Sequence, residues 1–276
     1  MNRTHVAVIF GGMSSEHSIS CLSAANVVAA IDRERFDVSG VGITPDGVWV
    51  RYGVDEILGL PSTGQLPVVE VGDRSLVSVK QMPEGTCIVD TEGNADLVQV
   101  VFPVLHGPFG EDGTIQGLLE MAGVRYVGCG VAASANCMDK HLTKMILAEA
   151  GVLVGPYVVV RDHEWREDRN AVLKAASRLE YPLFVKPARG GSSIGISKVM
   201  SPDRLEAAIE VAREHDNKVL IEQGIRGREI ECSVLDGHHG AAPRASVPGE
   251  IVVHDPDGFY DFEAKYLSGE IGRAHV

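Results

Sequence analysis

The sequence predicts an α/β fold with largely parallel sheets, built in more than one domain. Short apolar runs typical of strands alternate along the chain with segments of helical periodicity, as expected of strands linked by helices. Glycine-rich loops stand where a predicted strand meets a helix, the usual position of ligand contacts in such folds. The chain has 276 residues, 45% of them hydrophobic, which is enough to bury a sizeable core and to divide into two or more domains.

The first region opens on an apolar strand at Val6–Phe10 that runs directly into the turn Gly11–Gly12. Apolar periodicity predicts the elements that follow this turn. These are a helix at Ser20–Ile31, a strand at Val38–Ile43, weakly patterned short strands and loops at 45–95 (near 48–50 and 66–71), an apolar run at Leu97–Leu105, a helix at Ile115–Ala122 and a strand at Arg125–Val127.

The second region begins with a helix that carries Asp139 and Lys140 in its first turn. Its predicted elements are a helix at Met138–Ala150, a strand at Val158–Val160, a helix at Arg169–Leu179, a hairpin around Lys186, a helix at Pro202–His215 and a strand at Val219–Glu222. Pro202 after Ser201 is a typical helix start. A third region begins near Gly227.

Charge and cysteine content narrow the class of protein. The 25 Lys and Arg against 38 Asp and Glu give a net charge of −13, so nucleic acid is not expected as a partner and an anionic substrate needs local positive groups. Five cysteines without a C-x-x-C pair favour a reducing cytoplasm and no zinc site. No apolar run is long enough to cross a bilayer, so no membrane partner is expected, and His238-His239 fit an exposed turn.

A lysine followed by a glycine-serine loop indicates phosphate binding. Lys186 ends the apolar run Pro182–Val185, and Gly190 and Gly191 permit backbone conformations in which successive N–H groups face one anion, with hydroxyls added by Ser192 and Ser193. The loop is not a Walker A motif, because Ile196 stands where that lysine belongs. An ordinary hairpin with an exposed lysine is the alternative.

Two more glycine-rich loops carry candidate binding groups. In Gly11–His17 the carboxylate of Glu16 could hold a substrate ammonium group, or could only complement a helix end. In His106–Thr114 the imidazole of His106 could meet a carboxylate, or could be structural.

The stretch Gly128–Ala133 has the glycine spacing of a dinucleotide-binding fingerprint and raises a dehydrogenase as a second function class. The acidic residue expected about twenty positions later, at the end of a second strand, would be Glu149. Glu149 instead falls within a helical pattern.

Taken together, these loops closely resemble the D-alanine–D-alanine ligases of the ATP-grasp superfamily, over Val6 to Ser268. The motifs that carry the resemblance are Gly11–Glu16, His106–Gly117 (HGPFGEDGTIQG), Met138-Asp139-Lys140, Val185–Gly195 (VKPARGGSSIG), Leu220–Glu222, Gly227–Glu229 and Phe259–Ser268 (FYDFEAKYLS). The resemblance implies that two D-alanine molecules are joined through an acyl phosphate at the expense of ATP, with Mg²⁺ or Mn²⁺, for peptidoglycan precursor synthesis. It also implies a homodimer when full length.

The resemblance further implies roles for individual residues. Glu16, Ser192 and Tyr266 would form the catalytic hydrogen-bonded triad, and His106 would line the pocket of the first D-alanine. The implied ATP-binding set is Lys140, Lys186, Gly190, Gly191, Ser193, Glu222, Glu229 and Lys265, the last of these on a mobile loop at Glu263–Tyr266.

By the same resemblance, residues 1–137 form an α/β substrate-binding domain with a parallel sheet, 138–226 the central α+β ATP-grasp subdomain and 227–276 the incomplete start of the C-terminal ATP-grasp subdomain. The family's metal ligands would lie beyond Val276, so we expect no metal ligand and no ligase activity in this fragment. Residues 270–276 match a translated sequencing adapter and are expected to be an artefact. An ATP-binding pseudoenzyme is the alternative.

Overall fold

The computed structural model describes residues 3–60, 66–237, 240–253 and 271–275. The chain separates into two compact units, Met1–Gly151 and Val152–Val276. Within the described part, no helix is both long and apolar enough to span a membrane.

The first unit holds eight described strands and five described helices. The strands are β1 (Thr4–Gly11), β2 (Phe36–Ile43), β3 (Trp49–Tyr52), β4 (Val77–Met82), β5 (Gly85–Asp90), β6 (Ala95–Leu97), β7 (Val100–Pro103) and β8 (Arg125–Tyr126). The helices are α1 (His17–Ala30), α2 (Val54–Leu58), α3 (Thr114–Met121), α4 (Val131–Met138) and α5 (Lys140–Glu149).

The main sheet of this unit has the order β3-β2-β1-β7-β8, with β1, β2, β7 and β8 parallel and β3 antiparallel at one edge. Val8 and Phe10 on one face of β1 pack in a cluster with α1, whereas Ala7 and Ile9 on the other face pack with α3. Because both faces are covered, β1 is a continuous apolar run. Since β1 and β7 are parallel neighbours in the sheet, their carboxyl ends lie side by side.

The second unit holds the remaining described elements. The helices are α6 (Asp162–Glu167), α7 (Arg169–Ala176) and α8 (Leu205–Arg213), the last preceded by a 3-10 turn at Pro202–Arg204. The strands are β9 (Tyr157–Arg161), β10 (Leu183–Pro187), β11 (Ser197–Val199), β12 (Lys218–Gln223), β13 (Glu229–Glu231), β14 (Val234–Leu235), β15 (Arg244–Ala245), β16 (Gly249–Val253) and β17 (Ile271–His275).

Strand alternation in the second unit separates a core face from a polar face. The antiparallel sheet β11-β10-β12-β9 buries Leu183, Val185 and Ile221 against α7 and α8. Since successive side chains point to opposite faces, Lys186 and Glu222 lie on the other face. In the register Phe184 pairs with Glu222 and Lys186 pairs with Leu220, so the two charged residues are diagonal neighbours.

The α/β class is confirmed, and several element predictions are wrong in detail. The antiparallel pairing of β10 with β11 agrees with the hairpin predicted around Lys186. The predicted helix Met138–Ala150 is broken at Asp139, which caps α5. The run Leu97–Leu105 divides between β6 and β7, no strand forms at 66–71, and the hairpin β4–β5 was not predicted. These differences arise from long-range pairing and capping, which outweigh local periodicity.

Candidate active site

The turn after β1 requires glycine and is tied to two other elements. Gly11 has a φ of 86°, and a Cβ at this position would overlap the carbonyl oxygen of Ile43. The Gly11 N–H donates to Ser20 Oγ at 2.8 Å, and Ser20 Oγ donates to the Val104 carbonyl at 2.6 Å. The turn is thereby held against α1 and against the segment that follows β7.

His17 braces the same turn from the helix side. This buried imidazole has Nδ1 2.6 Å from the Gly12 carbonyl oxygen, while Nε2 accepts the Val69 N–H at 2.9 Å. A carbonyl can only accept, so the proton is on Nδ1. His17 was not predicted from the sequence, where its only signal is its position next to Glu16 at the helix start.

Glu16 and His106 were predicted to serve one pocket although they lie 90 positions apart in the sequence. Ser14 links the backbones of these two residues. Glu16 is 4% exposed. Its backbone N–H donates to Ser14 Oγ at 3.1 Å, and Ser14 Oγ donates to the His106 carbonyl at 2.7 Å. A Cβ on Gly107 would lie 2.6 Å from Glu16 Oε2, so only glycine lets this carboxylate lie against the backbone.

His106 lines a cavity at the carboxyl end of the main sheet. Its Nε2 lies 2.9 Å from Ser23 Oγ on α1. The cavity has a volume of about 400 Å³ and a mainly apolar lining that includes Gly12, Ile43, Leu105, His106, Pro108 and Phe109. This size and character suit a small ligand held by a few polar groups.

The acidic residues of the His106 loop shape its backbone. Glu111 Oε2 accepts the Gly107 N–H at 2.8 Å, and Asp112 Oδ2 accepts the Phe109 N–H at 2.9 Å. Phe109 adopts a left-handed φ of 67°, a conformation that costs a non-glycine residue about 1 kcal/mol. The loop is therefore specified by side chains as well as by its glycines.

Lys140 is the first residue of α5 and is half-buried. Asp139 precedes it as the N-cap, accepting the N–H groups of His141 at 3.0 Å and Leu142 at 3.2 Å. This cap fixes where the helix begins and hence the backbone position of Lys140.

Lys186 and Glu222 form an ion pair on the polar face of the second sheet. Lys186 Nζ contacts Glu222 Oε2, and their side chains are 19% and 14% exposed. The prediction that both belong to one binding face is consistent with this pairing. The pairing also shows that Lys186 is not the freely exposed lysine of an ordinary hairpin.

The loop between β10 and β11 owes its left-handed backbone to residues other than the two glycines that were predicted to shape it. Left-handed backbone occurs at Ser192 (φ 51°), Ser193 (φ 60°) and Gly195 (φ 70°), and not at Gly190 and Gly191 as predicted. Two consecutive non-glycine residues in this region are energetically costly. Strained residues of this kind cluster at ligand-binding and active sites.

The base of this loop is held by a contact that sequence reasoning missed. Asp216, with a side chain 3% exposed, accepts the Arg189 backbone N–H at 2.8 Å and the guanidinium Nη2 at 2.5 Å. The Ala188 N–H donates to the Lys218 carbonyl at 2.8 Å. Asp216 gave no signal beyond its position between a helix and a strand.

Not every predicted residue can be placed. Glu229 lies exposed in β13, opposite Ile251. Lys265, Tyr266 and the predicted mobile loop lie outside the described residues, as does His238-His239. Glu16 belongs to the first compact unit and Ser192 to the second, so the triad with Tyr266 stays a prediction. Across the ranges that the structure describes, no group of three His, Cys, Asp or Glu could hold a metal ion.

The dinucleotide-binding alternative is not supported by the local structure. Gly130 is the N-cap of α4, but Glu149 is the last residue of α5 and does not end a strand. The acidic group that would bind a ribose in that motif is therefore misplaced.

Comparison with known proteins gives one consistent family. The model for the N-terminus of D-Ala D-Ala ligases matches residues 5–129, and the model for the C-terminus matches residues 146–276. Among curated proteins, the D-alanine–D-alanine ligase of Pseudarthrobacter chlorophenolicus is 50% identical over 273 residues, which is 97% of this chain and 72% of the relative. That of Kocuria rhizophila is 51% identical over 96% of this chain and 71% of the relative.

Solved structures agree. The D-alanine–D-alanine ligase from Coxiella burnetii matches with a TM-score of 0.79 and 34% identity, covering 91% of this chain and 71% of that one. The VanG D-Ala:D-Ser ligase from Enterococcus faecalis matches with a TM-score of 0.78 and 36% identity, covering 99% and 76%.

Proposed function

The chain belongs to the D-alanine–D-alanine ligase family, and on that premise we propose that it serves the ATP-dependent joining of two D-alanine molecules into the dipeptide used for peptidoglycan precursors. The observation that carries the proposal is the match to ligases of this name at about 50% identity over nearly the whole chain. The pseudoenzyme alternative is not favoured, because these relatives bear the name of an active ligase.

The first unit supplies groups suited to one amino acid. The carboxylate of Glu16, at the start of α1, attracts the substrate ammonium group, and the imidazole of His106 meets its carboxylate. Both are held by Ser14, whose hydroxyl contacts the two backbones at 3.1 Å and 2.7 Å. Since the positions of these groups are fixed before substrate binds, little reorganisation is needed when charge develops.

The second unit supplies groups suited to ATP. Lys186 neutralises phosphate charge, and the loop Gly190–Gly195 covers the phosphates. The family resemblance implies the same role for Lys140, the first residue of α5. Glu222 and Glu229 bind the adenine and ribose side. The strained Ser192–Ser193 backbone and the anchored base of the loop at Asp216 support a loop that closes over a ligand.

The proposed chemistry has two steps. A carboxylate oxygen of one D-alanine attacks the γ-phosphorus of ATP, ADP leaves, and an acyl phosphate forms. The amine of the second D-alanine then attacks the acyl carbon, phosphate leaves, and the peptide bond forms with loss of a proton. Lysines offset the negative charge that accumulates in both steps, and a closed loop protects the acyl phosphate from water.

The family implies a divalent metal ion, Mg²⁺ or Mn²⁺. The described residues offer no donor set that fits one, so no step is assigned to it. We also propose a cytoplasmic location, since all five cysteines are free. Two further proposals follow from the family resemblance: the protein is a homodimer, and its functional domains divide after residues 137 and 226.

The test is product formation by the protein that the complete gene encodes. ATP, Mg²⁺ and D-alanine should give phosphate and D-alanyl-D-alanine, detected by mass spectrometry. Parallel reactions with D-serine and D-lactate as second substrate measure specificity. ATP binding without any dipeptide would favour the pseudoenzyme and overturn the proposal.

A further inference from the structure

Helix α1 carries a polar stripe that faces the segment leading to His106. Glu16, Ser20 and Ser23 are spaced i, i+4, i+7 and so share one side of the helix. Ser20 Oγ donates to the Val104 carbonyl at 2.6 Å, and Ser23 Oγ lies 2.9 Å from His106 Nε2. The polar stripe thus contacts this segment at a backbone group, the Val104 carbonyl, and at a side chain, the His106 imidazole.

The contact at Ser23 is directed at a side chain that also lines the cavity. Ser23 is half-buried, and its neighbours Ala24 and Ala25 are buried apolar residues. Packing alone would accept alanine at position 23. The hydroxyl adds a hydrogen bond to His106 Nε2, which constrains the plane of the His106 ring and leaves Nδ1 as the nitrogen that faces away from the helix.

We propose that Ser23 is a positioning residue for the first D-alanine site: its hydroxyl donates to His106 Nε2, which places the ring proton on Nδ1. Nδ1–H is then the donor presented to a ligand of the cavity that His106 lines. Within the described parts of the chain, Nδ1 has no hydrogen-bond partner of its own. This inference rests on the proposed function, because a donor at Nδ1 suits the carboxylate of an amino acid.

Reversing the direction of the hydrogen bond between Ser23 and His106 would change Nδ1 from a donor to an acceptor. If His106 Nε2–H donated to Ser23, Nδ1 would be a lone pair and would repel a carboxylate. Neutral imidazole has one donor and one acceptor, so the direction of a single hydrogen bond decides which is presented. Ser23 acts on substrate only through His106 and is not itself a catalytic residue.

The experiment compares Ser23→Ala, Ser23→Thr and Ser23→Val with Ser18→Ala, a half-buried serine on the same helix. Thr and Val have the same shape, and only Thr keeps the hydroxyl. We expect Ala and Val to raise KM for D-alanine roughly three- to twelvefold, within the range for one lost hydrogen bond. KM for ATP should stay within about twofold, and Thr and the Ser18 variant should resemble wild type.

A spectroscopic measurement makes the test independent of turnover. The ¹⁵N shifts of the His106 ring should show protonated Nδ1 in wild type and Ser23→Thr, and a shift toward protonated Nε2 in Ser23→Ala and Ser23→Val. Protonated Nε2 in wild type, or equal KM values for the Thr and Val variants, would overturn the proposal. Absence of all ligase activity in wild type would refute the proposed function instead, and the ring shifts would still decide the role of Ser23.

Discussion

Glu16 is a carboxylate with 4% of its surface exposed, lying against the backbone of Gly107 at the start of a helix. Burial of a charge is costly unless it is compensated, and the N-terminus of α1, where Glu16 is the N-cap, favours a negative group. A group held under these conditions is well placed to gain from a cationic ligand. Its chemistry is therefore best tested by removing the charge and keeping the shape.

Replacing Glu16 with Gln should impair use of D-alanine far more than use of ATP. The amide keeps the volume and loses the attraction for an ammonium group, so kcat/KM for D-alanine should fall roughly ten- to hundredfold, as expected for a hydrogen bond to a charged group. Steady-state kinetics with each substrate varied in turn provide the measurement. Glu34→Gln, at an exposed position, is the control, and wild-type D-alanine dependence in Glu16→Gln would reduce Glu16 to a helix-end charge.

Replacing Lys186 with Met should weaken ATP use strongly, because a charge-assisted phosphate contact is lost. The change also removes the ion-pair partner of Glu222, so some stability should be lost as well. The double variant Lys186→Met, Glu222→Gln should recover stability and not ATP affinity. Lys174→Met, on the exposed side of α7, is the control, and an unchanged KM for ATP would exclude Lys186 from phosphate binding.

At the scale of elements, helices α6 and α8 are joined by a charged network. Arg213 on α8 contacts Asp162 on α6 and also Glu210, and the Trp165 indole N–H donates to Glu210 Oε1 at 2.9 Å. The hydrogen bond from Arg213 holds the pKa of Asp162 below its usual value. The bond from Trp165 is the main cause that lowers the pKa of Glu210.

This network predicts a loss of stability in acid. A carboxyl group whose folded pKa is depressed stabilises the fold above its unfolded pKa, about 4, and loses that contribution as pH falls through the folded value. The midpoint of thermal unfolding should therefore be nearly constant from about pH 7 to 5 and fall below about pH 4. In the double variant Asp162→Asn, Glu210→Gln, the midpoint of thermal unfolding should fall less steeply with decreasing pH. An equal decline in both proteins would assign the acid sensitivity to other groups.

Elements whose sequence pattern matches their burial could be predicted, and elements defined by distant partners could not. Strand β1 is buried on both faces, so its apolar run is unambiguous. The hairpin β4–β5 pairs a mostly exposed strand, β4, with β5, whose four central residues are all buried, so neither strand shows a clear alternation of apolar and polar residues. The break at Asp139 follows from a side-chain cap, and a helical pattern of apolar residues does not reveal such a cap.

At the scale of the whole molecule, resemblance and glycine loops led to Glu16 and His106, and the structure brings them together. The residues that hold them were missed. Ser14 and Ser23 act on His106 across 92 and 83 positions, and Asp216 reaches Arg189 across 27. Serines and aspartates are common in loops and helix starts, so only their distant contacts distinguish them.

The assignment of separate ligand groups to the two compact units can be tested by hydrogen exchange on the complete gene product. D-alanine should slow exchange in residues 11–23 and 104–113, which hold the Glu16 and His106 contacts. ATP should slow exchange in residues 183–223, which hold Lys186, Glu222 and the intervening loop. A ligand at a hundred times its Kd stabilises the state it binds by about 2.7 kcal/mol, enough for clear protection. NAD is the control, and protection by NAD but not by ATP would contradict the assignment of a nucleotide site to the second unit.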